Sequence, residues 1–249
     1  MITVRQLQYS ISGKRVLVDV NLNVSQGETV TIMGISGSGK TTLLKIMSGL
    51  LRPTSGQVIL EHTDITGLSE DDLNKVRHRV GVVFQYGALF DSLPVYDNVA
   101  FGLVRRTKLT KEEIDQIVHE KLSLVGLPGT EKLMPAELSG GMQKRVSLAR
   151  AIATSPEILF YDEPTSGLDP VMTTVIDDLI MDMRSKLGVT SVVVSHDIKS
   201  IFRTSDRIAM LHDGVIIAYG TPDEIRGSSD ARVRQFIEGR SEGPIQHTG

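Results

Sequence analysis

Apolar and polar positions first alternate with a period of two. Val16, Val18, Val20, Leu22 and Val24 are separated by mostly non-core partners, the pattern of a half-buried strand. Residues 28–33 form a short apolar strand that runs directly into Gly34-Ile35-Ser36-Gly37-Ser38-Gly39-Lys40-Thr41. Helical spacing follows over residues 42–51, until Arg52-Pro53-Thr54-Ser55-Gly56 breaks it. Strand character returns at residues 57–61 and 80–84.

A helix-rich stretch occupies residues 88–155. Thr110, Lys111, Glu112 and Glu113 form a capping-box pattern, and Ile114, Ile117, Val118, Leu122 and Val125 then share one helical face. A second helix is expected from near Gly140 to just before Pro156. Buried-strand runs return at residues 158–162 and 191–195. Between them the pattern predicts a long helix, with Asp169 as its cap, Pro170 as its first residue and Gly188 as its end. Residues 208–211 and 215–218 flank His212-Asp213-Gly214, and Asp-Gly is a hairpin turn signal. Strands alternating with helices predict an α/β fold with a mostly parallel sheet core. The early alternating strands read as a separate antiparallel β layer, and residues 88–155 as an inserted helical subdomain.

Composition narrows the class. The chain has 249 residues, 40% hydrophobic and 23% charged, which is ordinary globular usage for one or two domains. No apolar run approaches the ~18 residues of a membrane span. The opening MITVRQLQYS does not read as a signal peptide, because no charged start precedes an apolar stretch. The absence of cysteine excludes a disulfide scaffold and Cys-ligated metal. A net charge of −3 argues against a general nucleic-acid binder, so no nucleic-acid partner is expected.

The chemistry sits at the strand ends. The loop over residues 34–41 matches G-x-x-x-x-G-K-[ST] in full and lies between a predicted strand and a predicted helix. Its glycines, Gly34, Gly37 and Gly39, let backbone N–H groups approach phosphate oxygens, and the helix start adds a positive dipole end. Lys40 is placed to reach the β and γ phosphates, and the Thr41 hydroxyl to help hold Mg²⁺. The strand Ile158-Leu159-Phe160-Tyr161 ends in Asp162 and Glu163. Asp162 is suited to hold Mg²⁺, and Glu163 to orient and deprotonate a water for in-line attack. Ser139, Gly140 and Gly141, in Leu138-Ser139-Gly140-Gly141-Met142, form a second anion-binding helix start.

These strings together resemble an ATP-binding cassette (ABC) ATPase over about residues 2–225. The phosphate loop, the LSGG signature, Asp162-Glu163 and Ser166-Gly167-Leu168-Asp169 occur in family order. Gln85 matches the Q-loop glutamine, and His196, in Val194-Ser195-His196-Asp197, the switch histidine. The resemblance implies that residues 1–87 and 156–226 form the nucleotide-binding core. It implies ATP and Mg²⁺ as cofactors, with Ser36, Ser38 and Thr42 joining the loop residues around the nucleotide. Thr41, Gln85 and Asp162 are the implied metal ligands, and Glu163, His196 and Gln85 the catalytic set. It also implies a head-to-tail homodimer in which Ser139, Gly140 and Gly141 meet the γ-phosphate in trans and Asp169 bridges the protomers. His196, following a buried strand, differs from His62, His78, His119, His212 and His247, which read as surface or structural residues. Two positions depart from the family pattern. Met142 precedes Gln143 where the signature usually ends in Gln. Ile11 stands where many relatives place an aromatic residue on adenine, while Tyr9 reads as a strand residue.

The segment Gln85-Tyr86-Gly87-Ala88-Leu89-Phe90, continuing to Phe101, resembles the ATPase of Mla-type, MCE-associated lipid transporters. The Met of the signature and the tail Val233-Arg234-Gln235-Phe236-Ile237-Glu238-Gly239 fit the same group. The resemblance implies a peripheral subunit on the cytoplasmic face of the inner membrane, beneath a permease. An MCE-domain lipid-binding protein belongs to such complexes, and many include a small STAS-domain protein. The implied work is phospholipid movement between inner and outer membranes; the alternative is an importer ATPase for amino acids or other small solutes. Residues 227–249 read as a C-terminal tail, with Phe236 and Ile237 as anchors on the opposite protomer.

Overall fold

The structure, a computed structural model, describes residues 1–246, so the reading of His247 lies outside the described residues. In chain order the elements begin with β1 (Ile2–Ile11), β2 (Lys14–Val24), β3 (Thr29–Met33), α1 (Lys40–Met47), β4 (Ser55–Leu60), β5 (Thr63–Asp64), α2 (Glu70–Arg77) and β6 (Val80–Val83). Helices α3 (Val95–Arg106), α4 (Lys111–Leu124) and α5 (Gly140–Ile152) follow, then β7 (Ile158–Asp162) and α6 (Pro170–Leu187). The chain continues with β8 (Thr190–Val194), α7 (Ile198–Thr204), β9 (Arg207–His212), β10 (Val215–Gly220), α8 (Pro222–Arg226) and α9 (Ala231–Glu238). These elements pack as two compact units. One holds residues 1–68 and the chain from Val192 onward; the other holds residues 69–191.

In the first unit the strands run in the order β5-β4-β1-β2-β10-β9-β3-β8. β1 is antiparallel to both β2 and β4, which is the expected antiparallel layer. β3 runs parallel to β9. The β9–β10 hairpin turns at Asp213 and Gly214, both at positive φ (46° and 75°), as an Asp-Gly turn requires.

Two details differ from the sequence pattern. Val20, Leu22 and Val24 are buried as predicted, but Leu17 takes the next core position, and Val16 and Val18 are only half-buried. The reason is a β-bulge. Leu7 pairs with Val20 and Tyr9 with Leu17, so β2 carries one more residue than β1 between those pairs, and its alternation changes phase. Helix α1 stops at Met47, because Ser48 and Gly49 fold back onto the carbonyls of Leu44 and Ile46. The apolar run through Leu51 therefore continues in a turn.

The C-terminal segment is ordered onto its own unit. Val233 and Ile245 join Met33, Ile201, Ile208, Met210 and Ile225 in one buried cluster, with Phe236 and Ile237 packed against it. The apolar pair in the tail thus has partners within its own chain.

In the second unit β6 and β7 pair in parallel, from Val80 opposite Ile158 to Val83 opposite Tyr161. Helices α3, α4 and α5 pack on one another, and α5 also packs on β6. The capping box closes in both directions: Thr110 N–H donates to Glu113, and Glu113 N–H donates to the Thr110 hydroxyl. Asp169 caps α6, Pro170 opens it, and Gly188 ends it in the left-handed region. Among the described residues no helix is long and apolar enough to cross a membrane.

Candidate functional site

The first unit supplies the phosphate loop. β3 is buried at every position and delivers the chain into residues 34–39 as a rigid strand. Gly34 has φ of +152°, and a Cβ there would lie 2.2 Å from the Leu211 carbonyl oxygen, so only glycine lets the loop leave β3 beside β9. The Lys40 ammonium is buried and donates to the carbonyls of Gly34 and Ile35, both at 2.9 Å. The lysine therefore ties the loop into a ring with its cation inside. Ser38 is buried as well, and its hydroxyl has no hydrogen-bond partner. Ser36 and Gly37 are exposed, and Thr41 and Thr42 are half-buried on the first turn of α1. A concave loop with an internal cation and an unsatisfied hydroxyl suits an anion.

The same unit carries His196. Ser195 N–H donates to the Ile32 carbonyl at 3.3 Å, which joins the end of β8 to the strand that feeds the loop. His196 is the next residue and is exposed. Asp197 then caps α7 by accepting from the N–H groups of Lys199 and Ser200. The expected base-contact position, Ile11, ends β1 and is 54% exposed, whereas Tyr9 is a half-buried strand residue.

The second unit carries the carboxylates. β7 is buried throughout and ends in Asp162, which is 4% exposed. A buried carboxylate is stable only with a cation or several donors. Glu163 follows at φ of 49°, the left-handed region that a glutamate resists. Its carbonyl accepts from Ser166 N–H at 3.2 Å and from the Lys144 ammonium at 3.3 Å. Burial pulls the Lys144 amine below its usual pKa, and the charge of Glu163 opposes that shift. Lys144 was not legible as a site residue; only its place one turn past the signature hints at it.

Gln85 leaves β6, and its side-chain amide donates to the Ser166 hydroxyl at 3.5 Å, which brings the Q-loop position against the turn after Glu163. Ser139 and Gly140 are exposed at the start of α5, where the Ser139 hydroxyl caps the Met142 N–H. Gly141 is buried, and a Cβ there would lie 2.6 Å from the Met172 methyl. Asp169 is exposed at the α6 N-terminus, with its carboxylate accepting from Val171 and Met172 N–H.

The family description "ABC transporter" matches residues 17–166. The chain is 44% identical to the "Intermembrane phospholipid transport system ATP-binding protein MlaF" of Haemophilus influenzae, over 99% of this chain and 93% of that protein. It is also 44% identical to the "Probable ribonucleotide transport ATP-binding protein mkl" of Mycobacterium tuberculosis, over 98% of this chain and 68% of that protein. Among solved structures, the dimeric ATP-binding cassette MJ0796 bound to ADP and Pi superposes with a TM-score of 0.82 at 35% identity, covering 89% of this chain and 99% of that one. The phosphate loop and the carboxylate strand thus lie in a chain that follows such cassettes over nearly its whole length. It belongs to the ABC transporter family, as one of its ATP-hydrolysing cassettes.

Proposed function

We propose that this chain is the ATPase of an inner-membrane transporter that moves phospholipids between inner and outer membranes and so maintains outer-membrane lipid asymmetry. The observation that carries this reading is the near full-length likeness to a protein named for intermembrane phospholipid transport. The residue string from Gln85 to Phe90 agrees with it. The equal identity to a protein named for ribonucleotide transport makes a solute permease the competing outcome.

The working form is a homodimer on the cytoplasmic face of the membrane, bound to a permease and an MCE-domain protein, with a small STAS-domain protein as a further partner. The core is residues 1–87 and 156–226, the signature subdomain is residues 88–155, and the tail is a partner contact. Lys40 and the backbone N–H groups of residues 36–42 hold the phosphates. Ser139, Gly140 and Gly141 close on the γ-phosphate from the second protomer, and Asp169 stabilises that closure. Thr41, Gln85 and Asp162 present a hydroxyl, an amide oxygen and a carboxylate, a hard-oxygen set that suits Mg²⁺. When bound, the ion neutralises charge on the β and γ phosphates.

Glu163 takes a proton from a water whose oxygen attacks the γ-phosphorus in line with the departing ADP oxygen. The P–O bond to ADP breaks as the bond to water forms, giving ADP and phosphate. His196 contacts the γ-phosphate, and Gln85 links its presence to the helical segment. The test is a pull-down of tagged Glu163→Gln protein from detergent-solubilised membranes with ATP and Mg²⁺. Recovery of a permease, an MCE-domain protein and phospholipid supports the reading. Recovery of a solute permease with its binding protein overturns the cargo and keeps the ATPase.

A further inference from the structure

Arg150 lies near the end of α5 and reaches out of its helix to the turn that follows Gln85. One guanidinium nitrogen donates to the Ala88 carbonyl at 2.7 Å and the other to the Gly87 carbonyl at 2.9 Å. Gly87 and Ala88 are both at positive φ, 73° and 48°. Two successive left-handed residues point their carbonyls in a direction an extended loop would not, and the alanine resists that conformation. The planar fork of arginine matches the two oxygens; a point-charge ammonium does not. Gly87 also lies against the same helix, since a Cβ there would be 3.6 Å from the Gln143 carbonyl oxygen and 3.8 Å from Ser147 Cβ.

The far end of the turn is held by Asn98, which is fully buried. Its amide oxygen accepts from Phe90 N–H at 2.8 Å, and its NH₂ group donates to the carbonyls of Phe90, Leu93 and Pro94. The loop displays Tyr86, 86% exposed, just before the first anchor and Phe90, 39% exposed, at the second. The Arg150 guanidinium also lies 5.9 Å from the centre of the Phe90 ring. Asn98 is local to the loop. Arg150 instead belongs to the helix whose first turn carries Ser139 and Gly140, about 16 Å away at 1.5 Å rise per residue.

We infer that Arg150 is a positioning residue that makes the turn over residues 87–90 move with α5, so that nucleotide engaging the signature end of the helix displaces Tyr86 and Phe90 at its other end. The inference rests on the proposed role of the signature, and it assigns to α5 the transmission of that event to the surface facing the partner.

The chain contains no tryptophan, so Tyr86→Trp creates a single fluorescent reporter at an exposed position. The full-length Tyr86→Trp, Glu163→Gln protein is titrated with ATP and Mg²⁺, and ATP affinity is measured separately by equilibrium dialysis. The parent should give a saturable emission change. Adding Arg150→Met should reduce its amplitude at saturating ATP by about fivefold or more, because the turn no longer follows α5, while ATP affinity changes by less than about twofold, below the usual range of an allosteric coupling. Arg150→Lys keeps the charge and should not restore the amplitude. Should Arg150→Met fail to fold, Arg150→Lys carries the same test. Full amplitude in a nucleotide-saturated variant overturns the inference, and so does a parent whose emission does not respond to ATP. Recovery of a solute permease in the pull-down, with the fluorescence result intact, would overturn only the cargo.

Discussion

The side-chain amide of Gln235 grips the backbone of Ile245 at both polar groups. Its oxygen accepts from Ile245 N–H at 2.8 Å, and its nitrogen donates to the Ile245 carbonyl at 3.1 Å. The amide imitates a neighbouring strand and satisfies a backbone that would otherwise be buried unpaired. Ile245, 4% exposed, thereby reaches the cluster beneath Met33, the residue that feeds the phosphate loop. Ile245→Ala should cost ~2–5 kcal/mol of stability, as cavity-forming substitutions do. Gln235→Met should cost about 1–3 kcal/mol by leaving those groups unsatisfied. Denaturant midpoints measure both, and unchanged midpoints would mean the tail does not dock. Truncation at 228 removes Val233 with the tail, so it should weaken folding before it reports on any partner.

Lys40 has a structural duty besides the phosphate role proposed for it. Its ammonium closes the loop through the Gly34 and Ile35 carbonyls, so Lys40→Ala removes both the proposed phosphate ligand and the tie that shapes the loop. ATP affinity should fall by at least about tenfold, the equivalent of ~1.4 kcal/mol, a modest value for charge-assisted bonds. Equilibrium dialysis against labelled ATP measures it. Affinity equal to wild type would remove Lys40 from the phosphate site.

Glu163→Gln keeps the shape of the residue but removes the carboxylate proposed as the base. ATP should bind as before, and the single-turnover rate should fall by roughly 10²–10⁴-fold. The carbonyl contact from Lys144 survives this substitution, because it is made to the main chain. A variant with normal turnover would show that another group takes the proton from water.

What the sequence discloses is local chemistry. The loop over residues 34–41, the Thr110–Glu113 box, the Asp169-Pro170 helix start and the Asp213-Gly214 turn each depend on neighbours in the chain, and the structure forms all of them. The bulge between Leu17 and Val20 is set by the register of β1, so periodicity in β2 alone misplaces Val16 and Val18. Arg150 reads as a polar residue on a mostly apolar helix, and its two acceptors lie more than sixty positions earlier. Gln235 and Ile245 sit in a stretch whose Gly, Ser and charge content resembles a frayed end. The bulge depends on a partner strand, and Arg150 and Gln235 each bond to backbone outside their own helix, so none of the three leaves a period to read.

Asp230 gives a prediction in pH. It accepts from the Arg232 guanidinium at 2.6 and 3.1 Å and caps α9 through the Arg232 N–H at 2.8 Å. The Arg232 side chain, helped by these backbone bonds, holds its carboxyl down to about 2 from an ordinary 3.8. A depressed carboxyl pKa stabilises the fold fully above the unfolded value, and the contribution disappears as pH falls through the folded one. The pair is partly exposed and screened by water, so it should contribute less than ~1 kcal/mol. Asp230→Asn retains the cap and removes the charge, which separates the two effects. The variant should be slightly less stable than wild type at neutral pH, and the gap should close as pH falls from about 4 towards 2. Urea midpoints recorded across that range measure it. A gap that persists at the acid end would assign the loss to packing or capping, and no gap at neutral pH would mean the ion pair adds nothing to the fold.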